Sequence, residues 1–161
     1  MNLCIRSGGQ TGVDRAALDV GMDLGLKVGG FIPKGRRAED GRLPDRYPLI
    51  ELASRDYEPR TRRNVSESDA TLVLYHGTMT PGSDLTVRIA IGLKRPYLAI
   101  DLSKDRTDQL ALATLWLSDQ INKCPRTCVL NVAGSRESSA PGIYEDAAMF
   151  LRMLFRAVDA P

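Results

Sequence analysis

Residues 7–15 read Ser7-Gly8-Gly9-Gln10-Thr11-Gly12-Val13-Asp14-Arg15 and stand between a short apolar run, Leu3 to Ile5, and apolar positions Val13, Ala17, Val20 and Leu24 at helical spacing. The fold class follows from this stretch. A buried strand that turns sharply into a helix leaves unpaired backbone N–H groups and the positive end of the helix dipole above the turn. Such a turn is an anion site, most often for phosphate. A dinucleotide fingerprint would need glycine at Ser7, and a phosphate loop of the Walker type would need lysine directly after Gly12. Neither is present. Ser7 and Thr11 add hydroxyls beside the amides of Gly8, Gly9 and Gly12, so these five residues are the first candidates to hold phosphate. The alternative is that the glycines serve the geometry of a tight connection alone.

Outward from this turn, the alternation of strand and helix continues to the C-terminus. Lys27 to Phe31 is expected as a second strand, and Leu49 to Leu52 as another. Ala70 to Tyr75 is expected as a central strand, Tyr97 to Ile100 as the next and Cys128 to Val132 as the last. Helices are expected from Tyr57, with Pro59 in the first turn, from the Leu85, Ile89, Leu93 spacing, from Leu110 to Ile121 and from Ile143 to Val158. Repeated alternation of this kind builds a parallel sheet flanked by helices. Ligands of open parallel sheets bind beyond the carboxyl ends of the strands. Two further loops occupy such positions: Thr80-Pro81-Gly82-Ser83-Asp84, with Gly82 and Ser83 as candidate contacts, and Ala133-Gly134-Ser135-Arg136, with Gly134, Ser135 and Arg136. Residues 32–48 have no regular period and carry Lys34, Arg36, Arg37, Arg42 and Arg46. The expectation is that Lys34 and Arg37 close over an anionic ligand from this loop; the alternative is a solvated surface loop.

Composition sets limits on partners. The 161 residues have 43% hydrophobic and 26% charged content and a formal charge of only +2, the make-up of one soluble domain, expected to span residues 1–161. That charge is too small to make nucleic acid the main partner, and the aromatic content of 6% offers few stacking platforms for single strands. No apolar run reaches the roughly 20 residues needed to cross a bilayer, so a cytoplasmic protein without membrane contact is expected. Three cysteines argue against a disulfide framework. Cys124 and Cys128, spaced C-x-x-x-C, fall short of a metal site, and no metal is expected.

The motifs resemble those of known families. Gly134-Ser135-Arg136 and the Ser7 to Asp14 turn are similar to two loops of the Rossmann-like superfamily that includes the DNA-processing protein A family and the "lonely guy" phosphoribohydrolases, in reversed order. The order looks like a circular permutation. SGGQTGVDRAALDVG from residue 7, PKGRRAEDG at 33–41, Arg60-Thr61, Asn64-Val65, Ser68-Asp69, Leu85-Thr86 and the final AGSRES and PGI elements resemble, more closely still, the molybdenum cofactor carrier family. This resemblance implies a three-layer Rossmann-like fold and a homo-oligomer, dimeric or tetrameric. It also implies a phosphorylated, nucleotide-like ligand, with molybdenum cofactor (molybdopterin) as the namesake. The permutation further implies that the first strand lies beside the last, with Gly8 and Gly134 at one edge.

The phosphoribohydrolases share Pro-Gly-Gly-x-Gly-Thr-x-x-Glu, whose glutamate acts in glycosidic cleavage. In this chain Thr86 stands about where that glutamate would be. Without a carboxylate there, an oxocarbenium-like transition state loses its partner, which favours a binding or carrier role. Cleavage of nucleoside monophosphates and nucleotide sensing are the alternatives.

Overall fold

The computed structural model describes residues 2–159. Five strands form one parallel sheet: β1 (Leu3–Arg6), β2 (Lys27–Gly29), β7 (Ala70–Tyr75), β8 (Tyr97–Asp101) and β9 (Cys128–Gly134), in the order β2-β1-β9-β7-β8. The first strand pairs with the last, Leu3 opposite Cys128 and Arg6 opposite Asn131. This is the neighbourhood that a circular permutation requires.

Helices cover both faces. On one side α1 (Val13–Asp23), α4 (Arg106–Lys123) and α5 (Ile143–Asp159) bury Val13, Ala17, Val20, Leu117, Phe150, Leu154 and Phe155 against Ile5, Leu72, Leu130 and Val132. On the other, α2 (Tyr57–Ser66) and α3 (Pro81–Gly92) share a smaller cluster of Val65, Ile89 and Ala90. Right-handed crossovers require this division: β1 to β2 runs toward one edge and β7 to β8 toward the other, so α1 and α3 leave on opposite faces. The crevice where the direction reverses lies above the ends of β1, β9 and β7. All three glycine-bearing turns meet there.

The expected strand from Lys27 to Phe31 is broken. At Gly30 the backbone takes φ 140°, and a Cβ there would lie 2.0 Å from the Ser7 carbonyl oxygen, so only glycine permits β2 to pass this close to the first turn. Beyond it the chain leaves the sheet. β3 (Phe31–Ile32) pairs instead with β6 (Ile50–Glu51), and a hairpin of β4 (Arg37–Ala38) and β5 (Gly41–Arg42) fills the segment between. The irregular loop is therefore ordered around its own cluster of Leu18, Ile32, Leu43, Tyr47 and Leu49. Arg36 lies inside it and donates to the carbonyls of Leu43, Pro44, Tyr47 and Leu49.

Gly30→Ala should lower unfolding free energy by about 3 kcal/mol, since it combines an unfavourable backbone region with a clash against main chain that cannot yield. Urea denaturation measures this. A loss below about 0.5 kcal/mol, the range of an ordinary surface change, would contradict the close approach.

Candidate functional site

A cavity of about 260 Å³ opens at the crevice. Its floor is the face of β9 that carries Asn131 and Ala133, two residues apart on one side of the strand. One wall is α2, through Tyr57, Arg60, Thr61 and Asn64; the other is the start of α3, through Thr80, Pro81, Gly82, Leu85 and Thr86. Gly8, Gln10 and Asp14 come from the first turn, and Gly134, Arg136 and Ser139 from the last.

The two walls are held by buried polar contacts. Arg60, 9% exposed, reaches across Gly8 to Asp14, 4% exposed, with Nη1 2.9 Å from Oδ2. A Cβ on Gly8 would overlap that guanidinium at 1.4 Å from Nη1, so glycine is what lets α2 close on the turn. Asn64 fixes the same helix to the start of β3: Oδ1 accepts from the Phe31 N–H at 2.8 Å and Nδ2 donates to its carbonyl at 3.1 Å. Tyr57 lies beneath three cations, with Arg136 4.9 Å, Arg60 5.6 Å and Arg37 5.7 Å from its ring centre. At α3, the Thr80 side chain caps the Ser83 N–H and Pro81 opens the first turn, which points the positive end of that helix at the cavity.

Three buried side-chain atoms near this crevice have no hydrogen-bond partner among the described residues: Gln10 Nε2, Arg60 Nε and Ser135 Oγ. The Gln10 amide is oriented by its oxygen, which accepts from the N–H groups of Thr11 and Glu39. Its nitrogen is thereby left as a donor. All three atoms are donors or can donate, and buried donors are rarely left unsatisfied. Protein encloses all three, so they fit an acceptor-rich group such as phosphate once a shift of the lining opens them to it.

The expected site residues divide between this cavity and its surroundings. Gly8, Gly82, Gly134 and Arg136 line it. Ser7 is buried below, donating to the Val132 carbonyl at 2.7 Å, and Ser83 lies behind the α3 wall against Thr80. Gly9 faces elsewhere; a Cβ on it would meet Leu43 and Leu49. Thr11 and Gly12 are taken up by the approach of the last turn: the Val13 N–H donates to the Ser135 carbonyl, and a Cβ on Gly12 would lie 2.4 Å from that oxygen. Both border a separate open trough of about 730 Å³ with Arg15, Asp19, Tyr47 and Tyr144. Glycine at 9 and 12 thus serves packing between loops, and the first turns of α1, α2 and α3 all reach the cavity wall, through Asp14, Tyr57, and Pro81 with Gly82. Lys34 and Arg37 are exposed outside the cavity walls. Arg37 bonds the Arg55 carbonyl and touches the site only through Tyr57.

Asn131, Gln10 and the closing role of Arg60 have no signal in the local sequence. An asparagine on a central strand is the one hint, because burying a polar side chain there costs free energy unless something bonds it; its Nδ2 lies 3.4 Å from Thr71 Oγ1.

The model of the circularly permutated YpsA SLOG family matches residues 5–155. The chain belongs to that family. A solved structure described as a putative molybdenum carrier protein from Syntrophus aciditrophicus SB is 41% identical, with a TM-score of 0.88, over 94% of this chain and 93% of that one. No curated protein matches. No helix among the described residues is long and apolar enough to cross a membrane.

Arg60→Met should cost about 3 to 5 kcal/mol, because it strands the Asp14 carboxylate in a buried position. Adding Asp14→Asn should recover most of that loss. Two single losses that simply add in the double variant would show that the pair is not coupled.

Proposed function

We propose that this protein binds and carries a phosphorylated, nucleotide-like small molecule in the crevice above β1, β9 and β7, and that molybdenum cofactor is the cargo to test first. One observation carries the reading: Arg60 Nε and Gln10 Nε2, in residues that line the cavity, are buried donors without hydrogen-bond partners among the described residues. The start of α3 and the Arg136 guanidinium add positive potential at the same place. Tyr57, cavity-facing and flanked by guanidinium groups, offers a surface for a planar ring. A phosphate on a pterin and a phosphate on a nucleoside both satisfy this combination. The 41% identical relative described as a molybdenum carrier supports the first of them.

The carboxylates favour carriage over bond cleavage. Asp14 is the carboxylate in the cavity lining, and it is engaged by Arg60 and by the Gln10 N–H. Thr86, where the phosphoribohydrolase glutamate would stand, donates its hydroxyl to the Gly82 carbonyl at 3.0 Å. Asp84 is exposed and pairs with Arg88. Glu137 accepts from the Gly142 and Tyr144 N–H groups at the start of α5. Glu39 bridges the Thr11 and Ser138 hydroxyls, and although burial alone would raise its carboxyl, those hydrogen bonds hold it below its ordinary value. Each of these groups has a structural role, and a general base needs reach to the reacting proton.

A nucleoside monophosphate at about 100 times its dissociation constant should stabilise the fold by about 2.7 kcal/mol, while the nucleoside alone should not. Gly82→Asp is the matched control: a Cβ there meets nothing within 4 Å, and an acid at a helix start is tolerated, yet the new carboxylate faces the anion. The thermal shift should vanish in that variant. Base release from AMP should not exceed its rate, and bound molybdenum cofactor should remain transferable to an apo-enzyme. An equal thermal shift in Gly82→Asp would overturn the location, and rapid base release by the unaltered chain would overturn the carrier role.

A further inference from the structure

The opposite end of the sheet holds a second cluster of chemistry, at the starts of β7 and β9 and the end of α4. Cys124 follows the last turn of α4, Cys128 opens β9, and Asp69 directly precedes β7. Their ligand atoms all lie within 4.8 Å of one another. Cysteine spacing along the chain shows two of these groups; the third arrives only because β7 pairs with β9.

Asp69 is held as a positioned ligand would be. Its N–H donates to the Val129 carbonyl at 2.8 Å, and its Oδ2 accepts from the Val129 N–H at 2.9 Å. The second of these hydrogen bonds orients the carboxylate, the task that outer-shell hydrogen bonds perform at metal centres. Oδ1 has the exposed Arg126 guanidinium 3.7 Å away. Cys128 is fully buried, whereas Cys124 and Asp69 are half-buried, so the cluster opens to solvent on one side. Two thiols and a carboxylate are a donor set for a borderline-soft cation: tetrahedral zinc with bonds of about 2.3 Å to sulfur sets its sulfurs roughly 3.8 Å apart, inside the 4.8 Å within which these ligand atoms lie.

We propose that Asp69, Cys124 and Cys128 form a binding site for a single Zn2+-like divalent cation, with water as the fourth ligand, that fastens the end of α4 to the starts of β7 and β9. On binding, each thiol gives its proton to solvent and the cation takes two thiolates and one carboxylate oxygen. The site is independent of the cavity. It lies beyond the amino ends of the strands whose carboxyl ends carry the crevice.

The test is titration of reduced, chelator-stripped full-length protein with Co2+. One equivalent should bind with a thiolate-to-cobalt charge-transfer band that Zn2+ abolishes, and Zn2+ should raise the thermal midpoint. Cys124→Ser should cut the band by about half, one thiolate of two. Asp69→Asn keeps an acceptor for the Val129 N–H and both thiols, and should weaken Co2+ binding by about tenfold or more. Cys4→Ser should change nothing, and circular dichroism verifies that each variant is folded. No charge-transfer band in the reduced wild-type chain, or a band unaltered in folded Cys124→Ser, would overturn the proposal.

Discussion

Parallel pairing of β1 with β9 at the centre of the sheet is the constraint on which the site depends. Had β9 formed at a remote edge, the turn after β1 and the turn after β9 would face different solvent, and neither would find the other's backbone. Because Leu3 to Arg6 run beside Cys128 to Asn131, Gly12 can touch the Ser135 carbonyl and Gly134 can sit against Leu74 and Val13. Main chain meets main chain at distances that a methyl group would forbid. These glycines hold two loops in contact, and the contact delimits the crevice.

The second requirement is a partner for the charge inside. A guanidinium as buried as that of Arg60 is costly unless paired, and Asp14 supplies the pair. The arrangement neutralises one edge of the guanidinium and leaves Nε without a partner among the described residues. An anion bound there would be met by a cation whose orientation is already fixed, so little side-chain entropy remains to be lost on binding. Tyr57 extends the same logic to the rim, where its ring collects the guanidinium groups of Arg37, Arg60 and Arg136.

Much of this was legible in the sequence, for reasons that can be named. Strands such as Ala70 to Tyr75 are mostly apolar because both faces are covered, and α1 and α5 show their buried stripe at helical spacing. The family resemblance located three turns and their relative order, and the β1–β9 neighbourhood follows from it. What escaped depends on contacts between distant residues. The basic loop at 32–48 reads as a set of cations for an anionic ligand, yet Arg36 is its internal anchor because four carbonyls converge on it. Gly30 interrupts a strand on account of Ser7, 23 positions earlier. Gly8 reads as a phosphate contact, and whatever it binds, it also makes room for a side chain from α2.

The most direct measurement is a crystal structure of the protein with a nucleoside monophosphate bound. The account predicts phosphate oxygens within hydrogen-bond distance of Arg60 Nε and Gln10 Nε2, in front of Pro81 and Gly82, with the base toward Tyr57. A phosphate seated in the trough beside Arg15 and Tyr144, or held by Lys34 at the surface with the crevice unchanged, would contradict it.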